Sequence, residues 1–307
     1  MITVLAGGVG AAKFLDGLAG VMRPEEITII ANTGDDATFH GLHISPDVDT
    51  VLYTLSGLVD REKGWGVAGD TFHCLEALGR LGEETWFNLG DRDLAIHLRR
   101  TRRLSEGATL SEIARELCEA LGLACRIVPM TNDPAGTRLR TTAGMLSFQE
   151  YFVKLRQQPE VLEMDFSEAA ASTPSPGVLE AIHEAEAVIV APSNPLLSIG
   201  PILAVPGIRQ ALRDTRATVA AISPIVAGRA LKGPADRMLQ SLGLGASAAS
   251  VAELYRDFMD LFILDSTDAA LLHEIEKKEM RVVATQTVMT STETRRQLAR
   301  TVIEAIL

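Results

Sequence analysis

Residues 2–13 read Ile2-Thr3-Val4-Leu5-Ala6-Gly7-Gly8-Val9-Gly10-Ala11-Ala12-Lys13. Five apolar or β-branched residues run together without alternation, as in a strand buried on both faces of a parallel sheet. The glycines punctuate it, and a helix-forming run from Ala11 to Met22 comes next. The same grammar recurs. Ile27–Ala31, Ala124–Val128, Ala187–Ala191, Thr218–Ile222, Leu261–Leu264 and Val282–Ala284 each read as a buried strand. Between them lie amphipathic stretches at Pro46–Leu58, Leu110–Leu121, Pro176–Glu186 and Glu293–Ile306. Parallel neighbours need a crossover, and helices supply it. The expectation is an α/β fold: Rossmann-like and doubly wound, with a mainly parallel sheet and helices on both faces. Residues 131–175 carry the least regular pattern, with Pro134, Gly136, Gly144, Pro159 and Pro174. They are expected to form an inserted smaller subdomain or lid within a single unit spanning 1–307. Thr290-Ser291-Thr292-Glu293 predicts a capping box with Thr290 at the N-cap.

Composition narrows the function. Of 307 residues 47% are hydrophobic and 22% charged, enough for a sizeable core and too apolar for disorder. The net charge of −11 argues against nucleic acid as a partner, since duplex binders show a basic footprint. It leaves room for a phosphorylated small molecule held in a local cationic pocket. No apolar run approaches the roughly 18 residues of a membrane span. The N-terminus lacks the basic region of a signal peptide. Cys74, Cys118 and Cys125 form no CxxC pair, which suits a reducing cytoplasm.

In an open parallel sheet, ligands bind beyond the carboxyl ends of the strands, so the residues just past each strand matter most. Gly7, Gly8 and Gly10 let a phosphate approach the backbone at a helix N-terminus, and Lys13 adds a full charge. The spacing is not a Walker loop, because Phe14 stands where Ser or Thr would hold Mg²⁺. Nor is it a dinucleotide fingerprint, since Lys13 replaces the third glycine; this speaks against an NAD-dependent oxidoreductase. The second strand leads into Asn32-Thr33-Gly34-Asp35-Asp36, a later one into Pro192-Ser193-Asn194-Pro195, and another into Ser223-Pro224-Ile225. These junctions are expected to share one edge.

Ser45-Pro46-Asp47-Val48-Asp49-Thr50 reads as a helix start, with Ser45 as cap and Pro46 in the first turn. Asp47 and Asp49 flank the apolar stripe about 100° either side of Val48, so they point apart. One of them is a candidate to hold a Mg²⁺ bridging a diphosphate, and helix geometry does not choose between them. Gly90-Asp91-Arg92-Asp93 sets an arginine between carboxylates. It is either a solvated cluster or a forked anion contact. Arg99-Arg100-Thr101-Arg102-Arg103 is either a solvated face or the rim of an anionic site. His40 and His43 lack a third ligand nearby, so zinc is not expected, and His73 and His97 read as ordinary helix residues.

Taken in order, these blocks resemble the 2-phospho-L-lactate transferase family of coenzyme F-420 biosynthesis. The likeness also takes in Trp65-Gly66, Asp70-Thr71-Phe72, Pro129-Met130, Ser198-Ile199-Gly200-Pro201-Ile202 and Met289-Thr290-Ser291-Thr292. Ala11-Ala12 departs from the Thr-Pro that relatives often carry before the lysine. The resemblance implies a Mg²⁺-dependent cytoplasmic enzyme, dimeric as relatives are. It would join a guanosine diphosphate-activated lactate or enolpyruvate to the ribityl hydroxyl of the deazaflavin Fo, releasing GMP. It also implies that Asp49 is the magnesium and Fo-side residue and Arg92 a second Fo contact. Gly7, Gly8, Gly10, Lys13, Asn32 and Thr33 would hold the nucleotide, with Ser193, Asn194, Ser223 and Pro224 completing the pocket. A competing reading is a nucleotide-sugar-binding regulator of the gluconeogenesis-factor family, which shares the glycine loop but lacks the 45–53 and 90–93 blocks.

Overall fold

A computed structural model describes residues 1–277 and 280–307. The chain runs through β1 (Ile2–Ala6), α1 (Gly8–Ala19), β2 (Ile27–Ala31), the hairpin β3 (Ala37–Phe39) and β4 (Leu42–Ile44), and α2 (Pro46–Leu55). Three helices come next: α3 (His73–Arg80), α4 (Asp93–Ser105) and α5 (Leu110–Ala120). Then come β5 (Arg126–Pro129), β6 (Arg138–Thr141), β7 (Gly144–Ser147), β8 (Val161–Asp165) and β9 (Ala187–Val190). The last strands are β10 (Thr218–Ile222), the short hairpin β11 (Ile225–Val226) and β12 (Arg229–Ala230), β13 (Leu261–Asp265) and β14 (Arg281–Thr285). A helix over Thr292–Ile306 ends the chain.

Seven of the strands form one parallel sheet in the order β14-β13-β10-β9-β1-β2-β5. The chain builds outward from β1 through β2 to β5, then returns to the other side of β1 with β9 and continues to β14. The reversal places a switch point between β1 and β9, where such sheets open a crevice. Register brings the turns to one level: Ala6 lies opposite Ala31, and Leu5 opposite Val190.

Both faces of the sheet are covered, which explains the unbroken apolar strands. Ile2, Val4 and Ala6 face α1, α2, α5 and the C-terminal helix, while Leu5, Ile30 and Val190 join the core on the other side. Each fully buried aliphatic side chain there contributes about 1.5–3 kcal/mol. Gly17 lets α1 approach the Arg295 backbone of the C-terminal helix, where a Cβ would meet the Arg295 side chain at 2.9 Å. The sheet and helix expectations hold within a few residues, with two corrections. Val282–Ala284 is only partly buried, because β14 is an edge strand. The last helix is capped by Ser291 with Thr294, one residue later than Thr290 with Glu293, because Thr294 returns the reciprocal bond to the cap.

Within 131–175, β6, β7 and β8 form a three-stranded antiparallel sheet. It packs into the main core through Leu139, Tyr151, Val161 and Ala169. The Thr137 amide donates to the Gly34 carbonyl at 2.8 Å, and Gln149 Nε2 to the Asp35 carbonyl at 2.8 Å. The insert is thus fastened over the turn at the end of β2. Among the described residues no single helix is long and apolar enough to cross a membrane.

Candidate active site

The glycine turn after β1 is shaped by what it touches. Gly8 adopts φ +73°, which favours glycine. A Cβ on Gly10 would overlap the Pro192 carbonyl oxygen, and one on Gly7 would fall 2.7 Å from Ser198 Cβ. Backbone and loop therefore meet across the β1–β9 crevice, where the Gly7 amide donates to Ser193 Oγ at 3.4 Å. Gly7, Gly8, Gly10, Asn32 and Ser193 do converge. Lys13 sits one turn into α1, half-buried, with its pKa lowered by burial and then by the nearby Arg295 charge. Lys232, beyond the β11–β12 hairpin, shows the same lowering from burial and from Lys13 itself. Its Nζ donates to the Lys63 carbonyl. Gly64, beside it, packs against Val9 of the glycine turn. Lys13 and Lys232, far apart in sequence, thus lie close enough to feel each other's charge beside this turn.

On the other flank the charge reverses. Asn32 Nδ2 donates to Asp47 Oδ2 at 2.9 Å, and Asn32 Oδ1 accepts from the Gly34 amide at 2.9 Å. The Gly8 amide also donates to Asp47, so this carboxylate, at the start of α2, is locked onto the start of α1. The Asp35 carboxyl is bonded to that of Asp47. Burial, with the charges of Asp47 and Asp36, holds Asp35 well above the usual carboxylate range. Burial pushes Asp47 up to about 6, against the pull of its Asn32 and Gly8 bonds. Asp36 is raised by burial too, offset in part by His43 Nε2 at 2.9 Å and Ser45 Oγ at 2.8 Å. Ser45 occupies the N-cap position of α2, but its hydroxyl serves Asp36 and not the helix. One oxygen of each of Asp35 and Asp36 is buried with no protein partner.

Asp49 points away from this group, as the helix geometry required. Both its oxygens are taken by Arg100, Oδ2 from Nη1 at 3.0 Å and Oδ1 from Nη2. Both residues are buried, at 4% and 1% exposure. Burial opposes the Arg100 charge, and the Asp49 carboxylate more than offsets it, leaving the guanidinium pKa raised. His97 Nδ1 lies 3.7 Å from Asp49 Oδ2, its Nε2 lies 3.2 Å from Asp93 Oδ1, and Tyr53 donates to the same oxygen. Of the arginine run only Arg100 turns inward; Arg99 and Arg103 pair with Glu116, and Arg102 with Glu106.

The other expected residues occupy quieter places. Thr33 is buried beside a small internal cavity with its hydroxyl unpartnered. Asn194 Oδ1 accepts from the Leu196 and Leu197 amides, closing its own turn. Ser223 likewise bonds within its turn to Ile225, across Pro224, at the end of β10 and one strand removed from β1. Arg92 is exposed at the start of α4, with Nη1 on the Ala68 carbonyl at 3.0 Å. Its neighbours exchange caps. Asp70 accepts from the Arg92 and Asp93 amides, and Asp91 from those of His73 and Cys74. This block therefore fixes the entries of α3 and α4. Sequence reasoning named Asp35 and Asp36 only within the junction after the second strand, Arg100 only within the arginine run and Ser198 only within a block of the resemblance, and it missed Lys232. The one signal for the first two was a pair of aspartates directly after a strand end.

Mg²⁺ takes hard oxygen ligands, characteristically one or two carboxylates with substrate phosphates and water. The free oxygens of Asp35 and Asp36 are donors of that kind, although among the described residues no three acidic, histidine or cysteine side chains come together as a metal-holding group. Asp49, with both oxygens engaged, offers none in this arrangement.

Comparison with known proteins agrees with the architecture. A structure of a UPF0052 family member from Bacillus halodurans superposes with a TM-score of 0.67, covering 98% of each chain at 16% identity, which shows the fold alone. The 2-phospho-L-lactate transferase of Methanothermobacter thermautotrophicus is 42% identical, over 100% of this chain and 98% of its own. The phosphoenolpyruvate transferase of Streptomyces coelicolor is 41% identical, over 97% and 96%. The family profile described as 2-phospho-L-lactate transferase CofD matches residues 2–307. With the match spanning almost every residue, the chain belongs to the CofD family of 2-phospho-L-lactate transferases.

Proposed function

We propose that this protein transfers a phospholactyl or phosphoenolpyruvyl group from a guanosine diphosphate-activated donor to the ribityl hydroxyl of Fo. GMP leaves and a phosphodiester forms. The observation that carries this reading is the meeting of opposite charges at the switch point. Amides and lysines at the glycine turn suit a diphosphate, and they stand next to carboxylates with free oxygens. The full-length identity to both kinds of named transferase supports the substrate class.

In this reading the start of α1, Lys13 and Lys232 bind the donor phosphates. Asp35 and Asp36 would hold Mg²⁺ together with the donor phosphates, and its chemistry when bound would be to neutralise the diphosphate. Asn32 fixes the Asp47 carboxylate in position. Asp49 then acts from behind: it fixes Arg100, whose charge also acts on Asp36. Arg92 remains a candidate contact for Fo from the exposed entry of α4. The protein is taken to work in the cytoplasm, as a dimer.

The test is mass spectrometry of Fo incubated with the protein, Mg²⁺ and each guanosine diphosphate-activated donor. The expected result is an Fo adduct heavier by the transferred group, with equimolar GMP. Unchanged Fo with both donors would overturn the assignment.

A further inference from the structure

Between the end of β2, the start of α2, and helices α4 and α5 lies a cavity of about 10 Å³. That is about the room one water molecule needs, and too little for a larger ligand. On the α5 side its wall is apolar, from Leu110, Ala114 and Leu117. Three polar side chains also border it: Thr33 just past β2, Ser45 before α2, and Arg100 on α4. All three residues are buried, at 2%, 1% and 1% exposure.

Each of the three has hydrogen-bonding capacity left over. Thr33 Oγ1 is buried with no partner among the described residues, a costly arrangement for a hydroxyl in the core. Ser45 Oγ gives its one hydrogen to Asp36 at 2.8 Å and caps no amide of α2, so its lone pairs are open. The bonds of Arg100 to Asp49 and His97 use at most three of its five N–H groups. We propose that the cavity is a site for one bound water, which accepts from Arg100 and donates to Thr33 Oγ1 and Ser45 Oγ. Three bonds are what a buried water typically makes. This water joins β2, α2 and α4 at one point, and through Ser45 it steadies the hydroxyl that holds Asp36. Thr33 is then a positioning residue for the carboxylate group and not the nucleotide contact that the family resemblance implied.

The test is a crystal structure at a resolution that shows ordered water, for the parent protein, Thr33→Val and Thr33→Ser, with calorimetric titration of each with GDP. Valine keeps the shape of threonine without its hydroxyl, whereas serine keeps the hydroxyl. The parent is expected to show one water peak within hydrogen-bond distance of Thr33, Ser45 and Arg100. Thr33→Val should lose the peak and lengthen the 2.8 Å contact between Ser45 and Asp36, and Thr33→Ser should restore both. GDP affinity should stay within about twofold of the parent in both variants. A cavity without a peak in the parent would overturn the proposal, as would a peak that survives in Thr33→Val. GDP binding weakened about tenfold in Thr33→Val would return Thr33 to the nucleotide and overturn it as well. Should Thr33→Val not fold, the parent and Thr33→Ser structures decide the question.

Discussion

The two flanks of the first turn of α1 differ in sign and in how firmly they are held. On the lysine flank, Lys13 and Lys232 are partly exposed, and Lys232 Nζ donates to the Lys63 carbonyl. On the carboxylate flank, Asp35, Asp36, Asp47 and Asp49 are nearly or fully buried, with Arg100 the one fully buried guanidinium among the described residues. A cationic surface of mobile side chains can gather a charged ligand and release it. A buried acidic group must keep its geometry whether or not a ligand is present, and so it is tied into the core by Asn32, His43, Ser45 and Arg100.

Breaking the buried pair should have the largest effect. Arg100→Met leaves the buried Asp49 carboxylate without its guanidinium partner, a loss of about 3–5 kcal/mol. Urea unfolding checks it, and adding Asp49→Asn to the same chain should recover a good part of that loss. Equal stability of the single and double variants would show that the pair does not tether the acidic flank.

On the lysine flank the effect should fall on binding and not on folding. Lys13→Ala is expected to weaken GDP about 10- to 100-fold, as loss of a charge-assisted contact does, with the unfolding midpoint unmoved. Lys232→Ala should cost less, because its ammonium already serves the Lys63 carbonyl. Calorimetric titration with GDP reads both.

The smallest effect separates the flanks by pH. Asp35 and Asp47 titrate higher when folded than when unfolded. Their stabilising contribution is therefore complete below the unfolded carboxylate range near 4 and is lost as pH rises through the folded values, about 6 for Asp47. Without divalent ions the melting temperature should fall from pH 5 to pH 8. Asp35→Asn should flatten that slope and raise the melting temperature at pH 8 by roughly 2–4 °C. A slope left intact would remove the repulsion from the account.

How much of this was legible in the sequence differs between the flanks in the same way. The strands, the glycine turn and Lys13 are local signals, carried by composition over a dozen residues. The acidic group is not local. Gly34-Asp35-Asp36 looks like a polar turn until the insert, more than a hundred residues later, covers it through Thr137 and Gln149. Arg100 hides in a run of arginines because the inward face of α4 carries His97 and Arg100 where a hydrophobic stripe would announce burial. The Asp70 and Asp91 caps span about twenty residues and two helices, so the motif 90–93 reads as chemistry when its acids are largely architecture.

The most direct measurement of the central claim is the anomalous signal of Mn²⁺, in place of Mg²⁺, in crystals grown with GDP. The ion is expected on the free oxygens of Asp35 and Asp36, with the GDP phosphates on the amides that open α1 and Asp49 still paired to Arg100. An ion on Asp49 with Arg100 displaced, or nucleotide density away from the glycine turn, would contradict it.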